Sequence, residues 1–86
     1  MKYKIQCGNN LDILKTMSDN SIDACITDPP YGMEIADVGW DHDVPPTETW
    51  EEVYRVLKPG AFCLSFCSPE LYHRMATKVD DAGFDI

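Results

Sequence analysis

Ile22-Asp23-Ala24-Cys25-Ile26-Thr27-Asp28-Pro29-Pro30-Tyr31 is the stretch on which the fold of this chain turns. Its first part, Ile22 to Thr27, is a mostly apolar run of strand length and predicts a strand covered on both faces. The run ends abruptly at Asp28. Neither Pro29 nor Pro30 has an N–H to give to a ladder, so a central strand cannot continue through them. Pro29 also pushes the preceding Asp28 toward extended geometry. These residue types build a stiff loop at the carboxyl end of a strand, with a carboxylate at its start and an aromatic ring at Tyr31.

Upstream, Tyr3 to Cys7 predicts a short first strand. Gly8-Asn9-Asn10 follows as a turn in which either asparagine can cap a helix. Leu11, Leu14 and Met17 then recur at helical spacing, with Ile13 off that line. Ser18-Asp19-Asn20-Ser21 ends this helix with turn-forming side chains. Downstream, Gly32 to Val44 is mixed in polarity and lacks a clear period, which predicts a surface loop. Trp50, Val53, Tyr54 and Leu57 fall at i, i+3, i+4 and i+7 and predict an amphipathic helix, stopped by Pro59-Gly60. Ala61 to Cys67 is a further buried-strand candidate. Ser68 can cap the next helix, Pro69 suits its first position and Gly83 its exit, and Leu71, Tyr72, Met75, Ala76 and Val79 give it an apolar stripe. Phe84-Asp85-Ile86 begins something extended. Strands alternating with helices predict an α/β fold, a mainly parallel sheet with flanking helices. In open sheets of this kind ligands bind outside the carboxyl ends of the strands, where Asp28 stands.

The composition is that of a folded protein, with 44% hydrophobic and 26% charged residues in a chain of 86, and argues against disorder. A net charge of −8 excludes a free-standing nucleic-acid binder with a basic face. It does not exclude a pocket that receives a single base, but any strong grip on phosphates then lies elsewhere. Four cysteines, Cys7, Cys25, Cys63 and Cys67, form no C-x-x-C pair, and His42 and His73 are not at ligand spacing, so no metal site is expected. Reduced thiols in a cytoplasmic protein are the plain reading. No secretory signal is seen and no apolar run approaches the ~20 residues that span a bilayer.

The loop at Asp28 has the parts needed to act on an amine attached to a flat heterocycle. Such an amine is a weak nucleophile because its lone pair is delocalised into the ring. Acceptors that draw on both of its N–H groups favour a tetrahedral nitrogen and stabilise the positive charge that develops there. The Asp28 carboxylate can accept one hydrogen bond and the Pro29 carbonyl the other, the prolines holding that carbonyl in place in advance. Tyr31 offers a face for stacking, worth ~1–3 kcal/mol per base.

Ile26-Thr27-Asp28-Pro29-Pro30-Tyr31-Gly32 resembles the catalytic motif of the adenine-N6 and cytosine-N4 DNA methyltransferases. Gly8-Asn9-Asn10-Leu11-Asp12-Ile13-Leu14-Lys15 resembles that family's Gly-Asp turn and following helix, with Asn9 where the family has Asp. Asn20-Ser21-Ile22-Asp23, Arg55-Val56-Leu57-Lys58-Pro59-Gly60 and Ala82-Gly83-Phe84 resemble further segments in the right order. The resemblance implies a partial Rossmann-like fold, S-adenosyl-L-methionine as cofactor, and a flipped base of DNA as substrate, adenine ahead of cytosine because Asp leads the motif. It places catalysis at Asp28, Pro29, Pro30 and Tyr31, and cofactor contacts at Gly8, Asn9 and Asp28. No Phe-x-Gly-x-Gly segment occurs. The order therefore resembles the permuted subclass, and residues 1–86 would form one truncated catalytic subdomain, its target-recognition region and glycine-rich segment lying past Ile86 or on a complementing chain. Alone it would transfer no methyl group.

Plainer readings stand beside these. Trp50 suits the core, as a helix-stripe residue, and could also wall a base or cofactor; Trp40 fits either role. His42 reads as a solvated loop residue and Asp80-Asp81 as a solvated helix end. Phe66-Cys67-Ser68 could line a base pocket or simply end a strand. An inactive remnant or interaction module that kept part of the methyltransferase fold is the alternative function. An RNA or protein-amide substrate ranks behind both.

Overall fold

The computed structural model of the protein describes residues 2–30 and 44–86. Among these the order is α1 (Asn10–Lys15), β1 (Ile22–Thr27), α2 (Thr47–Val56), β2 (Leu57–Ser65) and α3 (Tyr72–Asp81). β1 and β2 pair in parallel as a sheet of 2 strands, with Ala24 opposite Phe62, Cys25 opposite Cys63, Ile26 opposite Leu64 and Thr27 opposite Ser65. The unit is thus strand, helix, parallel strand, as the alternation predicts.

α1 starts where the turn chemistry places it. The Asn9 side chain accepts from the amides of Leu11 at 3.0 Å and Asp12 at 3.4 Å, satisfying donors that the first turn leaves free. β1 has the predicted bounds. The Tyr3–Cys7 strand does not form: residues 2–7 are exposed and carry no ladder. A strand exists only by exchanging hydrogen bonds with a neighbour, and this segment has none among the described residues.

Leu57 leaves the helical stripe and opens β2. A helix running up to Pro59 would set its ring against the carbonyl four residues earlier, that of Arg55, and Pro59 disfavours helical geometry at Lys58. α2 instead stops at Val56, and the turn before β1 takes over its last carbonyls: Asn20 N–H donates to Arg55 at 3.0 Å and Ser21 N–H to Val56 at 2.8 Å. Lys58-Pro59-Gly60 then bulge out of register between the Ile22–Leu57 and Ala24–Phe62 pairs, with Gly60 at φ +82°.

The Arg55 guanidinium ties the same corner together. It donates to the carbonyls of Leu14 and Met17, each at 2.8 Å, to Asp19 at 2.6 Å and to Glu52 at 2.9 Å. It thereby closes the carboxyl end of α1 onto α2, using a fork that lysine does not have. Arg55→Lys is expected to lower the melting temperature clearly although the charge is kept, while Lys15→Ala, which breaks only the exposed pair with Glu48, leaves it nearly unchanged. Equal melting curves for the two variants would refute the clamp.

α3 begins at Tyr72, later than Ser68-Pro69 suggests, because Ser68 uses its carbonyl in a turn with Leu71 N–H at 3.2 Å and its hydroxyl caps nothing. Its exit is as predicted. Gly83 at φ +118° follows Ala82, with Phe84 N–H reaching Val79 at 3.4 Å and Gly83 N–H reaching Asp80 at 3.0 Å, a Schellman closure. Phe84 is thereby set edge-on against Tyr54, ring centroids 5.1 Å apart. Gly83→Ala is expected to cost about 1–2 kcal/mol, since an L side chain is strained at that φ; a denaturant titration with an unchanged midpoint would contradict this.

The core gathers Val44, Trp50, Val53, Leu57 and Met75 on one face of the sheet, with Cys25, Ala61 and Cys63 packed against it. The other face is open, contrary to the two-sided cover expected of these strands: Ile26 is 73% and Phe62 78% exposed, and Leu64 and Phe66 are exposed beside them. An apolar composition on both faces does not itself supply the elements that cover them.

Candidate functional site

Thr27 ends β1, and its carbonyl accepts one more ladder bond from Phe66 N–H at 3.0 Å. The prolines then turn the chain out of the sheet as predicted. Asp28 is exposed, Pro29 is buried and Pro30 half-buried. Pro29 forms one wall of a groove of about 420 Å³ at this carboxyl end of β1. Gly8 and Asn10 line it too, together with Ile13 and Leu14 of α1, Met17 just past that helix, and Thr49, Trp50 and Val53 of α2.

Gly8 and Pro29, far apart in the sequence, therefore line one cleft, whereas Asn9 and Asp28 are exposed next to them and are not among its lining residues. Gly8 is tightly placed: a Cβ there would stand 3.2 Å from the end of the Ile13 side chain, which would have to give by a few tenths of an ångström. Asn9 has its side-chain oxygen committed to the α1 cap, which leaves its NH₂ for another partner. Tyr31, Trp40 and His42 lie outside the described residues.

Trp50 is both core and groove wall. It is 2% exposed, and its buried indole N–H has no acceptor among the described residues. Its place on the helix stripe signalled burial. The orphaned N–H had no sequence signature, and neither did the buried Thr49 beside it. Cys67 belongs to a different, smaller groove between β2 and α3, so Phe66-Cys67-Ser68 is not brought to the cleft of Gly8 and Pro29. Asp80 and Asp81 are exposed at the end of α3. Among the described residues no cluster of three or more His, Cys, Asp or Glu could hold a metal, and no helix is long and apolar enough to cross a membrane.

A cleft with mostly apolar lining, a few polar groups and a volume within the usual ~300–1,000 Å³ has the size of a small-molecule site. No family model and no solved structure matches the chain. Among curated proteins it is similar to the Type II methyltransferase M.BglII of Bacillus subtilis, 31% identical over 91 aligned positions that take in 96% of this chain and 22% of the relative. It is also similar to the Type II methyltransferase M.HpaI of Haemophilus parainfluenzae, 40% identical over 66 aligned positions, 69% of this chain and 21% of the relative. Through most of its length, then, the chain is similar to Type II methyltransferases, and it spans about a fifth of the length of those it matches.

Proposed function

We propose that the chain carries the catalytic motif of a cytoplasmic DNA amino-methyltransferase that uses S-adenosyl-L-methionine and acts on adenine N6 rather than cytosine N4. The observation that carries this reading is the shared groove: Pro29, next to the exposed Asp28, and Gly8 both line a ligand-sized cleft at the carboxyl end of a parallel strand. The similarity to Type II methyltransferases supports it. The two strands and their crossover helix fit as part of a Rossmann-like sheet.

The residues present fit the cofactor. Gly8 brings bare backbone to the groove, and Leu14 of α1 with Trp50 and Val53 of α2 supply apolar lining. When bound, the cofactor supplies an electrophilic methyl on a sulfonium. The rest falls to this chain. Asp28 accepts one N–H of the target amine and the Pro29 carbonyl the other, Pro30 keeps that carbonyl from swinging away, and Tyr31 stacks on the extruded base. With a net charge of −8, the grip on the DNA backbone is assigned to surfaces other than these residues.

Amide spectra of the isotope-labelled chain, recorded while S-adenosyl-L-methionine is added, test the cofactor half of this reading. Perturbations are expected at Gly8, Asn9, Asn10 and Asp28. Saturable shifts confined to the α3 side, or none up to millimolar cofactor, would rule it out.

A further inference from the structure

Cys25 and Cys63 are register partners on adjacent parallel strands, and their side chains leave the sheet on the same face, toward the core. Neighbouring strands lie ~4.8 Å apart, inside the ~4.4–6.8 Å Cα separation that a disulfide spans. Facing each other on the core side of the sheet, the two thiols bear on each other's titration. Both residues are half-buried, and each borders a cleft, Cys25 the groove at Pro29 and Cys63 the one between β2 and α3. We propose that Cys25 and Cys63 form a reactive dithiol that a small disulfide such as oxidised glutathione closes into a cross-strand disulfide.

The proton balance of the pair favours the first step. The hydrogen bond from Cys63 lowers the Cys25 thiol to about 7 against the opposing effect of burial, and the same contact, with burial and the neighbouring charge, pushes Cys63 up. Cys25 is therefore the thiolate that attacks at neutral pH. Its sulfur bonds to one sulfur of the glutathione disulfide, whose S–S bond breaks and releases one glutathione as the thiolate. Cys63, losing its proton, then attacks the Cys25 sulfur and expels the second glutathione. Two protein thiols are oxidised by two electrons and one small disulfide is reduced to two thiols. Cys67 has no such partner: burial raises it, and it lies beyond the last residue of β2.

The test uses the Cys7→Ser/Cys67→Ser double variant as well as the unsubstituted chain, each treated with oxidised glutathione, alkylated and mapped by mass spectrometry. A peptide linking Cys25 to Cys63 is expected from both folded proteins. In concentrated guanidinium the unsubstituted chain is expected to lose this preference and spread its links among all the cysteines. Circular dichroism before oxidation establishes that the double variant is folded. Glutathione adducts that persist on Cys25 without closure in the folded double variant would overturn the proposal. So would the same distribution of links from folded and unfolded chain.

Discussion

Replacing Trp50 by alanine is expected to unfold the protein or leave it barely stable. The indole is 2% exposed and is the largest fully buried side chain, packed with Val44, Val53, Leu57 and Met75. Truncating a buried aromatic to alanine costs about 3–5 kcal/mol, because the lost transfer energy adds to a cavity that the surroundings fill only in part. A chain of 86 residues has roughly 4–13 kcal/mol in total at ~0.05–0.15 kcal/mol per residue. With one face of the sheet bare, this protein belongs toward the lower part of that range, so the loss consumes most of it. Trp50→Phe is expected to be far milder, about 1–2 kcal/mol, since it keeps much of the volume and removes an N–H that has no acceptor. Thermal melts by circular dichroism separate the two. A Trp50→Ala variant melting within a few degrees of the parent would show that the core is centred elsewhere.

The contrast between these two variants also tells the groove from the core. If Trp50 serves packing alone, Trp50→Phe changes neither more nor less than stability. If its ring also lines the cofactor's groove, the same variant binds S-adenosyl-L-methionine more weakly at a temperature where it is fully folded.

The elements that could be read from the sequence are those whose cause is local. Asn9 announces the start of α1 because its oxygen answers amides two and three residues on. Pro29 and Pro30 end β1 by lacking donors, and Gly83 ends α3 by adopting φ +118°. What the sequence could not give depends on distant partners. Tyr3 to Cys7 has strand composition but no neighbour to pair with. Leu57 sits on the helix stripe, yet its conformation is decided by Pro59 and by Asn20 and Ser21 capping the helix before it. Arg55 looks like any exposed helix cation until the fold brings Leu14, Met17 and Asp19 within its reach. At the site, the turn at Asp28 was legible because its chemistry is packed into consecutive residues. That Gly8 lines the same cleft follows only from how α1 packs against α2.

The second large effect concerns catalysis rather than stability. On the proposed function, Asp28→Ala is expected to lower methyl transfer by about 10²–10³-fold, the usual consequence of removing a group aimed at charge developing in the transition state. Asp28 is exposed and lies past the last residue of β1, so the same change should leave stability within about 0.5 kcal/mol. Asp28→Asn keeps an acceptor oxygen and loses the negative charge, and should fall between the two. The readout is methyl incorporation from labelled cofactor into DNA, followed by digestion to nucleosides. The unsubstituted protein should yield N6-methyladenine, and N4-methylcytosine in its place would move the target without disturbing the role of Asp28. Full activity in a folded Asp28→Ala protein would end that role, because no other carboxylate stands beside the Pro29 carbonyl in the sequence to take the second N–H.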